Sequence, residues 1–170
     1  DGARLFNALV AKKETTQQYG AVFDSISICL NKGLGCPIGS ILIGDSAFIK
    51  EARRVRKVFG GGMRQAGYMA AAGIYALQNN IERLAEDHLH AQQIAAALAN
   101  KNFTGKILPV ETNIIIVEVV EPFTAKALAA LLTEKGVKCF AMSETQIRLV
   151  THLNITAAMV EKAITIINAL

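Results

Sequence analysis

The sequence predicts a mixed α/β chain, opening on the edge of a sheet and closing on a small α+β unit. Three observations predict it. Alternating apolar residues over 25–30 and 40–43 flank a loop at 31–39 that holds three glycines and Pro37, the pattern of a hairpin or of two neighbouring strands. Helical spacing then dominates from residue 46 to residue 100. Beyond residue 104, short strand-like runs return, interleaved with two helical segments.

The elements follow in order. Residues 4–12 carry apolar residues at helical spacing and predict a short helix. Asp45 or Ser46 is a fitting N-cap for the helix that runs to Phe59, and Gly60, Gly61 and Gly62 break it. From Met63 to Asn100 the pattern is helical but too long for one ordinary helix, and Asn79-Asn80 marks a bend or break. Residues 113–119 read as a strand and 124–135 as a helix ended by Gly136 at its C′ position. Residues 137–141 and 146–150 read as short strands, and Asn154 or Thr156 caps a last helix.

Composition narrows the class. With 170 residues, 52% hydrophobic and 19% charged, the chain has material for a core and does not read as disordered. Trp is absent, so Leu, Ile, Val and Ala must fill that core. The net charge of +4 owes much to one run, Lys50 to Lys57, which reads as a local anion site rather than a basic face spread over the molecule. Three cysteines without C-x-x-C spacing fit a reducing compartment. No apolar run reaches the roughly 18 residues of a membrane span, and no secretory or transit segment is visible. The chain starts at Asp1 without a methionine and is expected to be part of a longer protein.

The most informative stretch is Ser25 to Ser40. Lys32 stands at a strand end, followed by Gly33, Gly35 and Gly39. Small glycines let a flat ligand approach, and a desolvated lysine can attack a carbonyl, the chemistry of an aldehyde cofactor such as pyridoxal 5'-phosphate. Taken alone, the loop lysine reads more readily as a solvated one, because single lysines beside glycine are common. A phosphate-binding P-loop fails on order, because its glycines precede its lysine. Asp1 alone reads more readily as a cap for the helix that follows. Arg148 lies inside an apolar strand, where an unpaired charge is costly. The glycine break before Arg64 offers backbone N–H groups to an anion, whereas Arg53, Arg54 and Arg56 read as a solvated basic face. His88 and His90 are two apart on a helix and make a poor metal pair, so no metal site is expected. His152 reads as a structural histidine and Cys36 as packing.

Four segments together resemble the threonine aldolase family, within the aspartate-aminotransferase-like pyridoxal-phosphate enzymes. They are Asp1 to Ala8, Ser27 to Ser40, Phe59 to Gly67, and Ile147 to Leu153, in the family's order and spacing. The resemblance implies the C-terminal part of that fold: residues 1–58 ending the cofactor-binding large domain, 59–103 forming connecting long helices, and 104–170 forming the small α+β domain. It implies that Lys32 carries the cofactor as a Schiff base and that Asp1 pairs with the pyridine nitrogen. It makes Arg4 and Arg148 the grips for the substrate carboxylate, with Arg64 and Lys57 near cofactor and substrate. The implied reaction is cleavage of L-threonine or L-allo-threonine to glycine and acetaldehyde, by a cytoplasmic homodimer or homotetramer. The cofactor's phosphate loop and ring-stacking histidine would lie upstream of Asp1. Two alternatives stay open: a related β-eliminating lyase acting on another amino acid, and a non-enzymatic module binding nucleic acid or another anion through Lys50 to Lys57. The second leaves the glycine pattern and the Arg148 strand unexplained, so no nucleic acid is expected as partner, and without a long apolar run no membrane is expected either.

Overall fold

The structure, a computed structural model, describes residues 1–170. It divides into two compact units, Asp1–Leu84 and Ala85–Leu170, a boundary inside the 59–103 segment.

The first unit begins with α1 (Leu5–Lys12) and the short α2 (Thr16–Gly20). Thr15 and Gln18 close α2 as a capping box, each side chain accepting the other's backbone N–H. Next come β1 (Ser25–Cys29) and β2 (Ser40–Gly44), an antiparallel hairpin in the register Ser25↔Gly44 to Cys29↔Ser40. Asp45 caps α3 (Ser46–Val58) by accepting the Phe48 N–H at 2.9 Å. The helical stretch expected from Met63 starts later, as α4 (Gly67–Asn79), because Gln65 takes a left-handed φ of 55°.

The second unit holds α5 (Leu84–Ala99, opening on the last residue of the first), β3 (Thr104–Ile107), β4 (Ile114–Val119), α6 (Ala125–Glu134), β5 (Phe140–Ala141), β6 (Gln146–Val150) and α7 (Ala157–Asn168). Its sheet has the order β3-β4-β6-β5, antiparallel throughout. The strand expected over 137–141 shrinks to Phe140–Ala141 because the Val137 N–H is already spent. It donates to Leu132 O at 2.8 Å, while Gly136, at φ 92°, donates to Thr133 O; together these end α6.

The two units hold their cores differently. In the second, Leu98, Ile115, Leu128, Leu132, Ile147 and Ile167 are fully buried in one cluster. Each such side chain contributes about 1.5–3 kcal/mol on burial, so this unit has a full core of its own. The first unit has two small clusters, Leu30, Leu34, Cys36 and Ala76, and Leu5, Leu9 and Ile28. It leaves Phe23, Ile43, Val58, Phe59, Tyr68 and Tyr75 each about half exposed or more.

Candidate active site

Two close approaches lock the Asp1 segment to the lysine loop. Gly2 forms a parallel bridge with Ile28 of β1, and its N–H donates to Ser27 O at 2.6 Å. A Cβ on Gly2 would lie 2.9 Å from that carbonyl oxygen and 2.8 Å from Ile26 Cγ2, so only glycine fits. Asp1 is thereby held against β1, the strand that leads to Lys32. Further on, a Cβ on Gly33 would lie 2.5 Å from Asn7 Oδ1, with Asn7 itself buried under the loop.

The loop is fixed along its length. Leu30 N–H donates to Gly39 O and Cys36 N–H to Leu30 O, while Gly35 N–H donates back to Lys32 O at 2.9 Å. Leu34 is buried, and its carbonyl accepts from Asn80 Nδ2 at 2.8 Å. Cys36 packs beneath, its thiol donating to Ala72 O at 3.6 Å, and burial pushes its pKa up. Lys32 projects from this frame and is exposed.

Asp1 is exposed, and its Oδ1 accepts the Ala3 N–H at 2.9 Å. That bond tightens the turn before α1, whose N-cap position is Arg4. Beside them lies a cavity of about 310 Å³ lined by Asp1, Arg4, Ala8, Tyr19, Phe23 and Ile26 among others. Lys32 is not among its lining residues.

The glycine break closes α3. Gly60, at φ 78°, donates to Lys57 O, and Gly61 donates to Arg56 O at 2.8 Å, the paired bonds of a Schellman C-cap. Those two N–H groups are spent on carbonyls. Lys57 and Arg64 flank the break, both exposed, and the Lys57 side chain runs alongside Gly62.

In the second unit, Arg148 stands in the middle of β6, opposite Ile116 on one side and Phe140 on the other. Its Nε is buried without a hydrogen-bond partner, and its Cζ lies 5.9 Å from the Phe140 ring centroid. The end of β6 is clipped by a buried polar group that the sequence reading missed. Thr151 Oγ1 donates to Asp87 O at 2.6 Å, and Asn113 Nδ2 donates to Thr151 O at 2.8 Å. An asparagine and a threonine bordering apolar strands were its only sequence signal. His88 and His90 are buried in α5, whereas His152 is exposed and its Nδ1 accepts the Asn154 N–H.

This frame recurs in solved enzymes. A structure from Exiguobacterium sp. 255-15, provisionally described as an aromatic amino acid beta-eliminating lyase/threonine aldolase, matches with a TM-score of 0.80 at 20% identity, covering 99% of this chain and 51% of its own. Transaminase structures share the frame as well. The fold is therefore that of the aspartate-aminotransferase-like pyridoxal-phosphate enzymes, of which these 170 residues supply one part. Within that class, the chain belongs to the beta-eliminating lyase family, whose model matches residues 1–122. It is similar to the low specificity L-threonine aldolase of Escherichia coli K12, 45% identical over 156 residues, covering 92% of this chain and 45% of that protein. It is 40% identical over 161 residues to low-specificity L-threonine aldolase 1 of Arabidopsis thaliana, covering 93% of this chain and again 45% of the relative. The chain thus spans about half the length of the curated relatives it matches.

Proposed function

We propose that the protein containing this chain is a pyridoxal-phosphate-dependent aldolase that cleaves L-threonine and L-allo-threonine to glycine and acetaldehyde. The observation that carries this reading is the lock between the Asp1 segment and the Lys32 loop, with glycine obligatory at Gly2 and, at Gly33, in close contact with the buried Asn7. A fold that spends two close approaches, Gly2 on the β1 backbone and Gly33 on the Asn7 side chain, on tying a carboxylate segment to a lysine loop has a reason to keep them in register.

The residues present fit the cofactor. Lys32 offers a primary amine on a fixed loop and would hold the cofactor covalently; Asp1 offers a carboxylate that would keep a proton on its ring nitrogen. When bound, pyridoxal phosphate supplies an electron sink for charge released at the substrate α-carbon. Arg148 and Arg4 bind the substrate carboxylate through planar, paired N–H groups. Arg64 and Lys57 add positive charge for the cofactor and substrate anions. The relatives are about twice as long as this chain, and we assign the remaining cofactor contacts to residues outside it. Residues 1–58 then end the cofactor-binding domain, 59–103 connect, and 104–170 form the small domain. The apolar residues exposed on the first unit would be covered by the rest of the protein or by a second subunit, consistent with a homodimer or homotetramer, and the three free cysteines suit a reducing, cytoplasmic setting. No helix is long and apolar enough to cross a membrane.

The test is a product assay on the full-length protein. Threonine should yield acetaldehyde and glycine in equal amounts. Ammonia and pyruvate from cysteine or tyrosine, without acetaldehyde from threonine, would instead assign it to β-elimination.

A further inference from the structure

Arg148 is supported by an aromatic ring rather than by a hydrogen bond at its Nε. On antiparallel strands, directly opposed residues share a face of the sheet. Arg148 therefore shares its face with Ile116 of β4 and Phe140 of β5, while Ile147 and Leu149 turn into the core. Its Nε is buried and bonds to nothing in the chain. Its Cζ lies 5.9 Å from the Phe140 centroid, near the outer limit of about 6 Å for a useful cation–π contact. Phe140 is 62% exposed, so core packing does not account for a large apolar ring at this position.

We infer that Phe140 is a positioning residue, whose ring carries the Arg148 guanidinium and aims it at the carboxylate of the amino acid substrate. The inference rests on the reading of Arg148 as a carboxylate-binding residue. An aromatic face restrains a planar cation without competing for its N–H groups, which an aspartate in the same place would occupy. β5 is only two residues long, and α6 packs against it, so the ring sits on a short strand backed by a helix.

The experiment is a double-mutant cycle in the full-length enzyme, reading kcat and KM for threonine with thermal unfolding as a check on folding. Phe140→Ala should raise KM roughly two- to five-fold with kcat little changed, the range expected of an exposed cation–π contact. Phe140→Tyr, which keeps the ring face, should restore the KM; Phe140→Leu, which keeps only bulk, should not. Arg148→Ala should raise KM much further, and adding Phe140→Ala to it should change nothing more. If Arg148→Ala leaves KM unmoved, the carboxylate reading fails, and the inference with it. If Arg148→Ala raises KM but the Phe140→Ala effect persists in full on that background, or Phe140→Leu restores wild-type KM, the positioning role alone is overturned.

Discussion

Gly33 lies so close to Asn7 that one added methyl group would meet the amide oxygen at 2.5 Å. Gly33 follows Lys32, and Asn7 is buried in α1, so this contact couples the lysine loop to the helix behind Asp1 and Arg4.

Gly33→Ala and Gly2→Ala should each destabilise the protein by about 1–3 kcal/mol, the cost of overpacking. Gly2→Ala should be the worse, because it meets the Ser27 carbonyl oxygen, which cannot rotate away as an Asn7 side chain can. Gly20→Ala is the control: nothing lies within 4 Å of its Cβ position, so it should be neutral or stabilise by about 0.4–1 kcal/mol. Denaturant midpoints of the three variants check the order.

Gly60→Ala isolates a backbone effect. No atom lies within 4 Å of the added methyl, yet φ is 78°, so the cost should be about 1–2 kcal/mol from the left-handed conformation alone. Hydrogen exchange should show faster opening of the last turn of α3. Protection unchanged there would mean that the Gly60 and Gly61 bonds do not cap the helix.

How much of this was legible in the sequence varied with the signal. α3 and α7 were readable because Asp45 and Thr156 are capping residues placed just ahead of helical spacing, and both side chains do accept backbone N–H groups. α2 was missed although Thr15 and Gln18 spell a capping box, because five residues are too few to show periodicity. β3 was missed because its pairing with β4 shifts register between Thr104 and Ile107, and Gly105 interrupts it. The glycines at 60–62 were read as opening an anion site for the next helix. Gly60 and Gly61 close the previous one, since glycine signals a left-handed turn but not which neighbour uses its N–H. Asn7 beneath the Lys32 loop, and Asn113 and Thr151 at the end of β6, were not visible, because contacts between distant residues leave no local pattern.

The polar clip at the end of β6 should be worth more than its size suggests. Thr151→Val removes the hydroxyl that donates to Asp87 O and leaves that buried acceptor without this bond, an expected loss of about 1–3 kcal/mol. Asn113→Leu should cost a similar amount by freeing Thr151 O. Because both remove members of one network, the double variant should lose less than the sum, which chemical denaturation can measure.

His88 should make stability depend on pH. Burial pushes its pKa below the ordinary 6.5, against the opposing pull of Asp87. The folded state therefore binds its proton less readily than the unfolded chain does. The stability linked to the neutral ring is present above pH 6.5 and is lost as the pH falls through the lower, folded value. His88→Gln should flatten the drop in unfolding temperature between about pH 7 and about pH 5. An equal drop in both proteins would assign the acid sensitivity to other groups.

The most direct test of the account is to reduce the full-length, cofactor-loaded protein with borohydride, digest it, and locate the pyridoxyl mass. The account predicts one labelled peptide, carrying the modification on Lys32, and no label after Lys32→Ala. A label on Lys57 or any other lysine, or one that survives the Lys32 substitution, would contradict it.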